Sequence, residues 1–200
     1  VLVVGDLFDH ARVTANAVAE VYAALERLPG VCVVMVGNHD VHDDGSLYHR
    51  HRNVVDDTGV HLIDAHEGAV VRLFDDTLHL WGKAMDEHSP AFRPLAGVPT
   101  RADHPAWYLV MGHGHYVEDP AESHRSSLIT PADITGTGAD YVALGHWHVT
   151  TDVSDGPVTA WYSGAPSGNP GGRALIVDLD PAAGVTVTPV EVPLSPTGCG

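Results

Sequence analysis

Residues 1–40 read VLVVGDLFDHARVTANAVAEVYAALERLPGVCVVMVGNHD. Val1–Val4 is a short apolar run that stops at Gly5, the pattern of a buried strand leaving a sheet. Val13, Ala17, Val21, Leu25 and Leu28 then recur at helical spacing, and Pro29-Gly30 closes that helix. Val31–Val36 is a second buried strand, ending at Gly37. Strand, helix and strand within this stretch predict a right-handed parallel crossover, the repeating unit of α/β folds.

Working outward, a polar loop runs from Asn38 to about Ser46, and Leu47–Thr58 is expected to be one short helix. Val60–Ile63, Ala69–Phe74 and Thr77–Trp81 read as strands, the last two joined through Asp75-Asp76 as a hairpin. Lys83–Asp103 carries several prolines and little periodicity, which predicts a long loop. Trp107–Met111 is a strand running into Gly112, and Tyr141–Leu144 is another running into Gly145. The last third is strand-rich, with Val158–Tyr162, Ala174–Leu179 and Val185–Val190. Between the first two of these, Ser163–Gly172 is a Gly/Pro-rich loop. No internal repeat or low-complexity tract is present.

The 200 residues, 44% of them hydrophobic, suffice for one sizeable core, so a single domain over 1–200 is expected, with 181–200 as a last strand and tail. The longest apolar stretch, Val31–Val36, is far too short to span a membrane, and no secretory signal is visible. Cys32 reads as a buried thiol and Cys199 lies in a Gly-rich tail, which fits a reducing, cytoplasmic setting better than a disulfide framework. Ten basic against 26 acidic residues give a formal charge of −16. Such a surface repels nucleic acid on average. Bound divalent cations would reverse the sign locally, so a phosphodiester substrate stays open.

Four segments carry the chemistry: Gly-Asp-Leu-Phe-Asp at 5–9, Gly-Asn-His-Asp at 37–40, Gly-His-Gly-His at 112–115 and Gly-His-Trp-His at 145–148. Each sets oxygen donors or imidazoles beside a glycine just past a strand end, where open α/β sheets place their ligands. Taken singly, each has a plain structural reading: Asp6 as a turn cap, Asp9 as a helix cap, Asn38-His39-Asp40 as a polar turn. Together they are a donor set for Mn, Fe or Zn. If 145–148 is extended, His146 and His148 project to one side. Most of the 15 histidines, His42, His49, His66, His88 and His104 among them, have no strong pattern around them and read as solvated.

This ordered series resembles the calcineurin-like metallophosphoesterase superfamily, and Asp-Tyr-Val-Ala-Leu-Gly-His-Trp-His at 140–148 with Trp-Tyr-Ser-Gly-Ala at 161–165 is most similar to its SbcD-like exonuclease branch. The resemblance implies an α/β fold, a four-layer α/β/β/α sandwich of two mixed β-sheets, with two divalent metal ions (Mn2+ foremost, Fe or Zn as rivals) at the strand ends. By the same resemblance Asp6 bridges both ions. Asn38, His113 and His146 bind one of them, and His148 binds the other. His115 is the fallback for His113. His39 is the catalytic histidine and Asp9 the acid that orients it. The implied activity is phosphoester hydrolysis, with a nucleic acid as the family substrate and an ATPase as a possible partner.

One departure matters. The family's first signature, Asp-x-His on a preceding strand, is absent, and it is expected a short way upstream of Val1, as in a truncated product. Without it the first ion keeps only Asp6 and His148, where a catalytic ion normally has three protein ligands. One ion is therefore expected to bind well and the other poorly, and the chain as it stands to be a weakly active or inactive phosphoesterase. Two other readings stand beside the nuclease. One is a small-molecule phosphatase or cyclic-nucleotide phosphodiesterase, mildly favoured by the acidic composition. The other is a non-catalytic scaffold, against which the intact Asn38-His39 and His146-x-His148 argue.

Overall fold

The computed structural model describes residues 1–87, 89–101, 105–167 and 172–193. Cys199, His88, His104 and the middle of the Ser163–Gly172 loop lie outside them. The chain is mixed α/β. Strand β1 (Leu2–Val4) pairs in parallel with β2 (Val33–Met35), and helix α1 (Ala15–Glu26) connects them, as the opening stretch predicts. β3 (His61–Ile63) joins the other side of β2, again in parallel, so this three-stranded sheet is parallel throughout.

The larger sheet is mixed. It contains β4 (Ala69–Leu73), β5 (Leu78–Gly82), β6 (Trp107–His113), β9 (Tyr141–Gly145), β10 (Thr151–Asp152) and β11 (Thr159–Tyr162). Its order is β10-β11-β9-β6-β5-β4, antiparallel at both ends and parallel in the middle. β7 (His115–Tyr116) and β8 (Leu128–Ile129) form a small parallel pair, and β12 (Arg173–Asp180) with β13 (Gly184–Glu191) an antiparallel hairpin.

Period-two alternation sorts the side chains into three buried clusters. Val33 and Met35 of β2, Ile63 of β3, Leu109 and Met111 of β6 and Tyr141 and Ala143 of β9 share one cluster, so the two sheets face each other across it. The intervening residue Val34 points the opposite way, joined by Val18 and Tyr22 of α1. Tyr108, Val110, Val142 and Leu144 point away from the sheet interface on the far side, where they meet Ile134 of α4 (Pro131–Gly136).

Several local expectations need correcting. The buried line of α1 is Val18 and Tyr22 flanked by Val21 and Leu25, while Val13 and Leu28 lie outside the helix. The reason is the cap: Thr14 Oγ1 accepts from Ala17 N–H and starts the helix later than periodicity alone suggests. The single helix expected over Leu47–Thr58 is two, α2 (Leu47–Arg50) and α3 (Arg52–Asp56), broken at His51, whose φ of −118° is not helical. α4 was not anticipated, although Thr130-Pro131-Ala132-Asp133 carries a full capping box. Among the described residues of 83–103 no helix or strand forms, as expected, and no helix is long and apolar enough to cross a membrane.

Of the histidines expected to be solvated around the loop after β2, His49 and His66 are exposed, but His42 is not. His42 is 7% exposed, donates its N–H to Met85 O, stacks against His49 of α2 and meets His66 Nε2 at 2.9 Å. Burial, then His49, holds its pKa below the ordinary imidazole value, with His66 and Arg52 adding to this and Asp64 opposing it. A depressed folded pKa means that the unfolded chain takes the proton more readily. This contribution to stability is complete above the unfolded value of about 6.5 and is lost as pH falls below it. Thermal midpoints measured from pH 8 to pH 5 should fall in the acid limb, and His42→Gln should flatten that limb.

Candidate metal and catalytic site

The site is assembled where β1, β2, β6 and β9 end. The carboxylate of Asp40 is the fastening. It is fully buried, and its Oδ1 accepts from Gly37 N–H at 2.8 Å and Asp6 N–H at 3.3 Å. Its Oδ2 accepts from Leu7 N–H at 3.0 Å, Phe8 N–H at 3.4 Å and the Tyr48 hydroxyl at 2.7 Å. One side chain thus ties the turn after β1 to the turn after β2. Burial raises its pKa, and the Gly37 and Tyr48 bonds oppose that rise. From sequence Asp40 is only part of a polar turn; nothing in its spacing marks it as the hub.

The turns also need room. A Cβ on Gly37 would run into the Asp6 carboxylate, and one on Gly145 would run into Val4 O and the His113 ring. Glycine lets three backbones approach where any other residue would push them apart. Asp6 and His146 both hold positive φ, 54° and 100°. Such conformations cost about 1–3 kcal/mol each for non-glycine residues and cluster at functional sites.

Within this frame Asp6, Asn38, His113 and His146 converge. One ligand atom from each of Asp6, His113 and His146 lies within 4.8 Å of the others. His113 is 2% exposed, with Nε2 at 2.8 Å from Asn38 Oδ1 and 3.2 Å from Asp6 Oδ2. His146 Nδ1 stands 2.9 Å from the same Asn38 oxygen. The other nitrogen of His113, Nδ1, faces Val4 O at 2.7 Å. A carbonyl only accepts, so Nδ1 carries the proton and a neutral His113 presents its Nε2 lone pair to two oxygens. Turning the Asn38 amide over would offer protons to the rings, yet would leave the Asp6–His113 contact as lone pair against lone pair. A cation between them, a second proton on His113 or a metal ion, resolves the clash. The donor set of carboxylate, amide oxygen and two imidazoles suits a divalent ion of the Mn, Fe or Zn type.

The electrostatics are consistent with a cation. Burial disfavours the Asp6 charge, but His113 carrying a second proton, which then donates Nε2–H to Asp6 and attracts it, outweighs burial together with the His39 N–H and brings the carboxyl to about 2. Burial, then His113, pushes His146 down to about 4, so it is a neutral ligand at ordinary pH.

His148 does not join this group. It is exposed, and the chain beyond Gly145 is not extended, so the two-residue alternation expected of His146 and His148 fails. The left-handed backbone at His146 is the cause. Asp6, Asn38, His113 and His146 therefore fit one ion, while the second ion's expected pair, Asp6 and His148, is not brought together. His115 takes a different role from its neighbour: its Nδ1 accepts from Trp147 Nε1 at 2.9 Å. Trp147 in turn stacks on Tyr162 at 4.6 Å.

His39 sits at the rim. Its Nδ1 is 3.0 Å from the Asp9 carbonyl and 3.3 Å from the Asp9 carboxylate, whose side chain is 93% exposed. The Asp9 backbone contact is the largest influence raising the His39 pKa, against burial, with Asp6, Asp9 and Asp40 adding attraction. The expected pairing of Asp9 with His39 is present, but the carbonyl does more of the orienting than the acid.

No protein-family model matches this chain, and no curated protein matches it.

Asp40→Ala should strand several buried donors and cost about 3 kcal/mol or more, at about 1–3 kcal/mol for each unsatisfied group. Tyr48→Phe, which removes one donor, should cost about 1 kcal/mol. Urea unfolding followed by circular dichroism checks both, and equal midpoints for Asp40→Ala and the parent would remove Asp40 from its place as hub.

Proposed function

We propose that this chain is a metal-dependent phosphoesterase of the calcineurin-like kind, acting on phosphodiesters. The reading is carried by Asp6, Asn38, His113 and His146 meeting, from four strand ends in two sheets, around one point. Two facing sheets with buried clusters on their outer faces support the four-layer α/β/β/α sandwich that the sequence resemblance implies. The free, buried Cys32 is in keeping with a reducing cytoplasm.

A divalent ion, when bound, supplies Lewis acidity and a water acidic enough to attack at neutral pH. The residues do the rest. Asp6 contributes the negative charge that holds the ion. Asn38 and neutral His113 and His146 hold it without cancelling its charge. The Val4 carbonyl fixes His113 in the tautomer that turns Nε2 inward. The Asp9 carbonyl takes the His39 Nδ1–H and raises the ring's pKa, which favours the imidazolium, whose second proton, on Nε2, can pass to the departing alkoxide. No step is assigned to a second ion, because His148 stands apart.

A small phosphodiester is the second reading, in place of nucleic acid. It is favoured by the formal charge of −16.

With Mn2+ the chain should bind one ion tightly and hydrolyse bis(p-nitrophenyl) phosphate faster than p-nitrophenyl phosphate. Asp6→Asn should lose metal and turnover together. His39→Gln should keep the metal, by elemental analysis, and lose about 10²–10⁴-fold in kcat. Asp9→Ala should cost far less, since the carbonyl remains. A His39→Gln protein emptied of metal would refute the role given to His39, and preference for the monoester would retire the phosphodiesterase reading.

A further inference from the structure

The chain has ten Lys and Arg residues. Arg27, Arg50, Lys83 and Arg93 donate to backbone carbonyls. Arg52, Arg72, Arg101 and Arg173 pair with carboxylates. Among the described residues the Arg12 and Arg125 guanidiniums make neither kind of contact, and Arg125 lines both cavities beside the ligand group. Arg125 is exposed at the mouth of the site with no carboxylate on its guanidinium, so the group is available to an anion there.

Two cavities meet at Arg125. The first, about 200 Å³, is shared with Asn38, His146, His115 and Ser127. The second, about 400 Å³, continues past His115 and His146 to Trp147, His148 and Val149. His115, Arg125 and His146 line both, so the guanidinium shares the boundary of the two cavities with a ligand imidazole. Ser127 supplies the independent sign. It is 5% exposed, holds a left-handed φ of 56°, and its Oγ is buried with no hydrogen-bond partner among the described residues. The Ser127 carbonyl accepts the His115 N–H at 2.9 Å, which fixes this turn against β7. In this rotamer the hydroxyl has no accessible surface, so it meets a ligand only by turning about χ1; a native buried hydroxyl left unpaired calls for an explanation, and a group it can turn to meet is one.

Resting on the phosphoesterase reading, we propose that Arg125 and Ser127 form an anion subsite for a second, non-reacting phosphoryl group of the substrate. The planar guanidinium fork matches two oxygens of such a group, and the Ser127 hydroxyl can donate to a third. The outer cleft then takes whatever follows that phosphate. The shared chemistry is a phosphate one bond system away from the reacting one. It comes either from a nucleoside polyphosphate or from the next link of an oligonucleotide.

The direct probe is inorganic pyrophosphate, titrated into the metal-free protein by calorimetry. The parent should bind it. Arg125→Ala should weaken binding by about tenfold or more, Arg125→Lys by less, and Ser127→Gly by about threefold, in line with charge-assisted bonds being the stronger. Arg12→Ala, an exposed arginine away from the cavities, should bind as the parent does. Equal affinity in the parent and Arg125→Ala overturns the subsite, as does a parent that binds no pyrophosphate. In the Mn2+ enzyme, Arg125→Ala should raise KM for an oligonucleotide or for a nucleoside triphosphate, but not for bis(p-nitrophenyl) phosphate. The arm that moves identifies the source, and a KM unchanged in both arms refutes a role in substrate selection. If no ester is hydrolysed at all, the phosphoesterase reading falls by itself, while the pyrophosphate titration still decides whether the anion site exists.

Discussion

The Asp40 carboxylate is the constraint on which the site depends. Two turns follow β1 and β2, and each would wander if left to its own glycine. Their amides instead converge on one buried pair of oxygens, with the Tyr48 hydroxyl closing the set. Hydrogen bonds to an ionised acceptor are roughly twice as strong as neutral ones, and burial makes losing them expensive. Asp6 and Asn38 therefore arrive at their positions through a residue that holds no ligand itself. The division of labour is clear: Asp40 spends its charge on backbone amides, and Asp6 keeps its own for the centre.

Much of this architecture was readable in residues 1–40, and the physical reason is periodicity. Val31–Val36 is an unbroken apolar run between Pro29-Gly30 and Gly37, too short for a helix, and as a strand it feeds two clusters, Val34 to one and Val33 and Met35 to the other. The strand-end glycines marked where donors would emerge, and Asp6, Asn38, His113 and His146 are the four that meet. The failures have equally specific causes. His148 was read from extended geometry, which the backbone at His146 does not keep. Asp40, Arg125 and Ser127 were missed because their importance lies in three-dimensional neighbours: β7, β8 and the turn before β8 are too short to show a period. The capping box at Thr130 was a readable signal that periodicity alone passed over.

The aromatic and imidazole side chains beside the ligand group form a second, drier scaffold. The Tyr162 hydroxyl donates to Gly114 O, the Trp147 ring lies on Tyr162, and the Trp147 N–H reaches His115. This chain of contacts holds the strand ends of β6, β9 and β11 at fixed spacing on the larger sheet. It also occupies His115 Nδ1, which leaves the centre to its neighbour His113. Two histidines a residue apart thus take separate tasks, one structural and one at the centre.

The four converging donors are divided between the sheets: Asp6 and Asn38 follow strands of the smaller one, His113 and His146 those of the larger. Across the body of the molecule the sheets touch through apolar packing, which is non-directional and tolerates small sliding. A cation gripped by all four would act as a rivet through both layers. It would recognise only the registered pair of sheets, not the unravelled chain, so occupancy and global cohesion would rise and fall together.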